Sequence, residues 1–241
     1  MTWFPKATDV LALHEDLVAL FAGEDNPIFP PGPKDLGLLE SACGRPRTSL
    51  GKTEKYSSVE EKAAALLHSL VKNHAFHNGN KRTGLLTMMT FLWRNDRRLS
   101  SGVTDDEILE LVVGVAKNEF PRPSAKPDPD RVVRAIAEWL RLRVTSLTAK
   151  PAGMHAKDFL TSCERAGVKW KESGASFVVW NGSRSIRFSQ KTRKLDGPVV
   201  RAYLGRLGLY DVRVDEFQEG LSPEQALTRA FRNVLRRLAH A

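Results

Sequence analysis

Within nine residues, His74 to Arg82, the chain gathers a proton acceptor, a glycine, two amides and two cations. Histidine titrates near neutrality, so His74 is the natural general base. Apolar residues recur at helical spacing on both sides, which places the run in a joint between two helices. A helix opening at Asn80-Lys81 turns unpaired N–H groups and the positive end of its dipole into that joint, where anions bind. Gly79 lets the backbone approach a phosphate without a Cβ in the way, Lys81 adds charge, and Arg82 can grip phosphate with two parallel hydrogen bonds. The chemistry that suits such a turn is deprotonation of a group held beside nucleotide phosphates. Phe76 reads as a core anchor of the loop. His77 reads as a solvent-facing residue, with a metal or second-base role as the alternative.

The elements that hold this joint are mostly helical up to about residue 147. Val10, Leu13, Leu17 and Leu20 repeat at helical spacing and stop at Gly23; a Pro/Gly-rich loop follows, then a short helix ended by Gly44. Arg45 to Tyr56 has no strong period and reads as a loop or a hairpin flap. Ser58-Val-Glu-Glu61 is a capping box that opens the helix before the joint, and the helix after it (Lys81 to Arg94) is apolar on most sides, hence central. Thr104-Asp-Asp-Glu107 caps a further helix and Asp128-Pro129 opens the last of this part.

Residues 149–153 read as a linker. Beyond it the period changes: a helix over His155–Ala166, strands over Val168–Lys171, Ser176–Trp180 and Arg184–Ser189, an Asn181-Gly182 hairpin turn, a helix over Pro198–Leu207, and a final arginine-rich helix capped by Ser222-Pro-Glu-Gln225. The expectation is an α+β protein of two domains: an all-α bundle over 1–148, then a small α-β-β-β-α domain with an extra C-terminal helix over 154–241. The net charge of +9 is uneven, with 21 Lys/Arg against 19 Asp/Glu in residues 1–150 and 16 against 9 in residues 151–241. That excess suits an anionic partner such as RNA, a solvated basic surface being the plain alternative. No stretch approaches a membrane span, and Cys43 and Cys163 read as buried, reduced thiols of a cytoplasmic protein.

The run His74, Phe76, Gly79, Asn80, Lys81, Arg82 resembles the signature of the Fic/Doc family, His-x-Phe-x-(Asp/Glu)-(Gly/Ala)-Asn-(Gly/Lys)-Arg. Lys81 after the asparagine, and Leu85 where an extra arginine could stand, are similar to the Doc (death-on-curing) branch. Asp9-Val10-Leu11, Gly37 to Ala42 and Arg45-Pro46 look Doc-like as well, so the resemblance covers about residues 5–145. It implies a helical bundle in which His74 deprotonates a target hydroxyl while Gly79, Asn80, Lys81 and Arg82 cradle the phosphates of ATP or another nucleoside triphosphate. It implies Mg²⁺ as cofactor, and a flap carrying Lys52, Lys55 and Tyr56 that docks the target chain by strand addition. The group moved onto a protein Ser, Thr or Tyr would be phosphoryl, or less in keeping with Lys81, AMP. Implied partners are a translation component such as an elongation factor and an antitoxin protein, with no membrane. One residue departs from the signature: Asn78 stands where the family holds a carboxylate for the metal. Its oxygen could still ligate magnesium, but without the charge. A nucleotide-binding protein impaired in catalysis is therefore the alternative.

The second domain, from Lys157 through Gly208, resembles the double-stranded-RNA-binding fold of HicA-type toxins in the order of its elements. Ser176 stands in the place of the HicA histidine. Arg184, Arg187, Lys191, Arg193 and Lys194 are the expected phosphate contacts, and Trp180 a stacking surface or a core residue. This domain is expected either to bind RNA or to restrain the first.

Overall fold

A computed structural model describes residues 2–51, 53–100, 102–146, 153–209, 217, 227–228 and 230–241. It divides into two compact units, residues 1–147 with 224–241, and residues 148–223. The final segment therefore belongs with the first unit, not with the second domain, where the run of elements along the sequence put it. Apolar burial is the reason: Val234, Leu235 and Leu238 are buried in the core cluster of the first unit, with Leu227 and Phe231 packed against it.

The first unit is built around two helices, α3 (Val59–Lys72) and α4 (Asn80–Arg94). Every residue from Lys62 to Val71 and from Arg82 to Leu92 is buried, so both helices are central and not one-faced. Their close approach depends on Gly84: a Cβ there would lie 3.1 Å from Val71 Cγ2 and 3.4 Å from Leu70 Cβ. Ser58 and Glu61 make the expected capping box, with Glu61 N–H donating to Ser58 Oγ at 3.1 Å. Around the pair stand α1 (Ala7–Phe21), α2 (Leu36–Gly44), α5 (Asp105–Lys117, capped by Thr104) and α6 (Pro129–Arg143, capped by Asp128).

Two small sheets interrupt the helices. Residues 45–56 form a single 3₁₀ turn and a hairpin, β1 (Ser49–Leu50) with β2 (Thr53–Glu54), so the flap exists as a hairpin. The second pairs β3 (Arg97–Leu99) with β4 (Val144–Ser146), a long-range pairing that three-residue segments do not announce.

The second unit has β5 (Met154–His155), α7 (Ala156–Arg165), β6 (Lys169–Ser173), β7 (Ser176–Asn181), β8 (Arg184–Ser189), β9 (Lys194–Leu195) and α8 (Gly197–Arg206). β6, β7 and β8 make an antiparallel meander whose second turn carries Gly182 at φ 58°, as the Asn-Gly pair predicts. β5 pairs with β9 separately. The core holds Phe159 and Leu160 of α7, Val179, Ile186 and Phe188 of the sheet, and Val200 and Leu204 of α8. The Ser222–Gln225 cap lies outside the described residues, and the described part of the last helix runs Arg232–Arg237. Cys43 and Cys163 are buried free thiols, pushed up to about 11 and about 12 by burial. No helix among the described residues is long and apolar enough to cross a membrane.

Gly84→Val should force α3 and α4 apart and cost about 1–3 kcal/mol of stability. Gly23→Ala, where a Cβ meets nothing within 4 Å, should stay within about 0.5 kcal/mol of the parent. Urea unfolding of both variants checks the pair.

Candidate functional site

The joint between α3 and α4 is held by hydrogen bonds that begin where α3 ends. Asn73 closes the helix with its N–H on Ser69 C=O at 2.8 Å. His74 then takes a left-handed φ of 51°, a conformation sparsely used by residues with a side chain and one that concentrates at functional sites. The next residues lie along the proline-rich loop: Ala75 C=O accepts from Lys34 N–H at 2.7 Å and Asp35 N–H at 3.1 Å, and His77 N–H donates to Gly32 C=O at 3.3 Å. Asn80 folds back across the turn. Its Oδ1 accepts from Phe76 N–H at 3.0 Å and its Nδ2 donates to Phe76 C=O at 2.9 Å.

His14, on α1, is the residue that sequence reading missed. It is buried, stacked on Phe76 with ring centroids 4.1 Å apart, and bonded twice. Gly32 N–H donates to His14 Nε2 at 3.1 Å, which leaves the proton on Nδ1 to donate to Thr83 Oγ at 2.9 Å. One neutral imidazole thus ties α1, the proline-rich loop and the first turn of α4 together. Burial, with the Arg82 charge second, pulls its pKa down to about 4. A sequence signal existed: His14 falls among Val10, Leu13 and Leu17 on the apolar stripe of α1.

The residues expected to bind phosphate have distinct surroundings. Gly79 sits at φ 78°, and a Cβ there would meet Ile28 Cδ1 at 3.0 Å, so it is the tight corner that starts α4. The first helical bond runs from Thr83 N–H to Gly79 C=O, leaving the amides of Asn80, Lys81 and Arg82 without intrahelical acceptors. The Asn80 side chain is spent on Phe76. Arg82 is 3% exposed, donates to Asn26 C=O at 3.1 Å and lies 5.2 Å from the Phe21 ring centroid. Its guanidinium is therefore engaged by protein groups, while the residue also borders the motif cavity. Lys81 Nζ donates to Ala241 C=O. Burial first, then Lys117 and Arg82, lower the Lys81 pKa, so a like-charge cluster surrounds it. Lys117, at the end of α5, is the cation of this cluster outside the motif.

Asn78 is committed as well. Its Nδ2 donates to Phe29 C=O at 3.1 Å and its Oδ1 accepts from Gly79 N–H at 2.6 Å. Among the described residues no group of three or more His, Cys, Asp or Glu could hold a metal ion. With the Asn78 oxygen already engaged by Gly79 N–H and no carboxylate in the motif, the side chains of the joint do not fit a resident Mg²⁺.

His74, His77, Asn78, Gly79, Lys81 and Arg82 line one cavity of about 240 Å³, and Leu238 and Ala239 close another side of it. The segment carrying them is pinned beyond its apolar contacts. Glu24 accepts from Arg232 at 3.0 Å and from Arg236 at 2.6 Å, and Arg237 pairs with Asp106 at 2.6 Å. The Arg236 hydrogen bond, reinforced by Arg232, holds the Glu24 carboxyl down at about 2.

The flap residues are tethered. Lys55 Nζ pairs with Asp130 at 2.8 Å, and Tyr56 is buried with its hydroxyl accepting from Arg45 Nε at 3.0 Å. The two flap strands themselves are exposed, and Lys52 lies outside the described residues. In the second unit Arg187, Lys191, Arg193 and Lys194 are exposed. Arg184 packs its guanidinium against Gly208, where any Cβ would collide with it.

Residues 4–92 match the Fic/DOC family. The chain is similar to "Toxin Doc" of Mycolicibacterium smegmatis, 38% identical over 86 residues, or 36% of this chain and 66% of that protein. It is similar also to "Protein kinase doc" of Escherichia phage P1, 29% identical over 112 residues, or 46% of this chain and 81% of that one. It thus spans just under two thirds of the first relative's length. The family match ends at residue 92, so the HicA-like resemblance gains nothing from it.

The His14 clasp gives a pH prediction. The unfolded chain takes up a proton near 6.5 and the folded His14 only near 4. Stability should hold above about pH 6.5 and fall as the pH drops from there toward 4, by up to about 3 kcal/mol. His68, also lowered to about 4 by burial, loses stability in the same window. His14→Gln should flatten roughly half of that acid-side loss in denaturant unfolding at stepped pH, relative to the parent.

Proposed function

Because residues 4–92 carry a Fic/DOC family domain, we propose that the chain is a Doc-like toxin transferring a phosphoryl group from ATP or another nucleoside triphosphate to a hydroxyl of a protein target. One observation supports it above the rest: His74 faces the same cavity as Lys81 and the unpartnered amides that open α4. A triphosphate lying against those amides presents its γ-phosphorus near the imidazole. The target hydroxyl gives its proton to His74, its oxygen bonds to the γ-phosphorus, and the bond to the β,γ-bridging oxygen breaks, releasing the diphosphate. Lys81 and Lys117 offset the charge on the phosphate oxygens. AMP transfer would instead place the attack at the α-phosphorus and release pyrophosphate. Under this reading the target belongs to the translation apparatus, and an antitoxin protein controls the activity.

Asn78 shapes the reaction. Without a carboxylate in the joint, any Mg²⁺ arrives on the nucleotide phosphates alone, and turnover is slower than a carboxylate would permit. An Asn78→Asp variant gains a charged oxygen and loses the donor to Phe29 C=O. Incubation with ATP, Mg²⁺ and cell lysate should give a target heavier by about 80 Da for phosphate, against about 329 Da for AMP. His74→Ala should remove the label and relieve growth arrest on expression. Arrest undiminished by His74→Ala would sink the transferase reading. ATP binding without transfer, converted to transfer by Asn78→Asp, would establish the impaired nucleotide-binding protein in its place.

A second reading follows from Leu238, Ala239 and the Lys81–Ala241 bond. The described conformation is a resting state in which the C-terminal segment lies over the phosphate site and occupies its lysine. Entry of a nucleotide requires that segment to shift. Arg232→Glu with Arg236→Glu, which breaks both contacts to Glu24, should tighten ATP binding several-fold in titration calorimetry. Adding Glu24→Arg should restore the parent affinity. An affinity unchanged by the double reversal would remove the resting-state reading and leave the transferase reading standing.

A further inference from the structure

The meander of the second unit has two unlike faces. Its register sets Trp170 opposite Val179 and Ile186, Lys169 opposite Trp180 and Ser185, and Lys171 opposite Val178 and Arg187. Opposed residues share a face, and Val179 and Ile186 are buried among residues of α7 and α8. The face turned away from those helices therefore carries Lys169, Lys171 and Arg187 around Val178 and Trp180. The three cations are exposed, while Val178 and Trp180 are half-buried. Lys171 Nζ lies 6.0 Å from the Trp180 ring centroid. The rest of the face is serine (Ser173, Ser176, Ser185 and Ser189), and no carboxylate side chain belongs to it.

A surface that only serves solubility mixes both signs and keeps aromatic rings off its centre. Here three positive charges of one sign border an indole and a valine. That combination complements a polyanion whose rings are free to stack, which is a single-stranded nucleic acid. A duplex keeps its bases stacked on each other and offers an indole no ring face. Lys191 and Arg193 lie outside the three strands, and Lys194 belongs to the separate β5–β9 pair.

We propose that this open sheet face binds single-stranded nucleic acid, with Trp180 stacking on a base and Lys169, Lys171 and Arg187 holding phosphates. The site is independent of the transferase reading, since its residues all lie in the second unit. It keeps Arg187 and Trp180 of the residues expected from the sequence and sets Lys169 and Lys171 beside them in place of Arg184, Lys191, Arg193 and Lys194.

Fluorescence anisotropy of the full chain with labelled oligouridine of about 15 nucleotides tests it, beside oligothymidine and an RNA duplex of the same length. Trp180→Ala should weaken oligouridine binding about tenfold or more, and Trp180→Phe should retain most of it. The triple variant Lys169→Ala, Lys171→Ala, Arg187→Ala should flatten the dependence of affinity on salt, while Lys191→Ala, Arg193→Ala, Lys194→Ala should leave that slope in place. Tighter binding of uridine than thymidine strands would support the site and identify RNA as the ligand, through the 2′-hydroxyl; equal binding would support it with either strand as ligand. Binding unchanged by Trp180→Ala, or duplex bound as tightly as single strand, would overturn it. If Trp180→Ala does not fold, as read by circular dichroism, the salt slope of the triple cation variant decides: an unaltered slope overturns the proposal.

Discussion

A neutral, buried His14 is the contact on which the first unit's functional joint depends. Four pieces of chain meet at its ring: α1 supplies it, the proline-rich loop donates to one nitrogen, Thr83 accepts from the other, and Phe76 stacks on its face. Each hydrogen bond contributes about 1 kcal/mol on its own. Their joint effect is larger, because a protonated ring could no longer accept from Gly32 and would hold an uncompensated charge in the core. The reciprocal pair between Asn80 and Phe76 then fixes the turn from inside. The first turn of α4, with its free N–H groups, is thus preorganised by residues that point away from it.

The same logic explains why the family's motif residues divide their labour here. Gly79 supplies geometry, Asn80 closure, and Lys81 charge, while Arg82 spends its guanidinium on Asn26 and Phe21. A charged group that is 3% exposed needs partners, and a backbone carbonyl with an aromatic face partly meets that need. Arg82 also gains from the Glu24 carboxylate, which raises its pKa against the desolvation that lowers it. Glu24 in turn holds Arg232 and Arg236. A chain of charges therefore runs from the motif to the C-terminal segment. These exposed ion pairs are screened by solvent and contribute little, whereas fully burying each of Val234, Leu235 and Leu238 contributes about 1.5–3 kcal/mol. Apolar burial holds the segment; the ion pairs set its register over the cavity.

Much of this was legible in the chain. The motif, both Ser/Thr capping boxes, the hairpin at Asn181-Gly182 and the α+β character of residues 154–209 follow from local rules that tertiary contacts reinforce. What stayed hidden was long-range. β3 and β4 are three residues each, and Leu99 pairs with Val144, 45 positions further along, so no local period marks them. The return of the last helix to the first unit is a choice between two cores, and an amphipathic helix carries no address. His14 was visible as a polar residue on an apolar stripe, but its partners Gly32 and Thr83 lie 18 and 69 residues away. Residue type did not reveal that the Asn80 and Arg82 side chains bond to Phe76 and Asn26, because only packing decides which way a side chain turns.

Asn78 shows how one residue can satisfy the fold while altering the chemistry. Its amide bridges Phe29 C=O and Gly79 N–H, a role that needs a donor and an acceptor on one short side chain. A carboxylate accepts at both ends and would set an oxygen against the Phe29 carbonyl. The amide therefore strengthens the link between the proline-rich loop and the joint, and in the same step removes the negative charge that would draw a cation to the phosphates. Rigidity of the phosphate cradle and charge at its rim are alternatives at this position. The chain has taken rigidity; under the proposed transfer, the nucleotide itself would have to bring any metal.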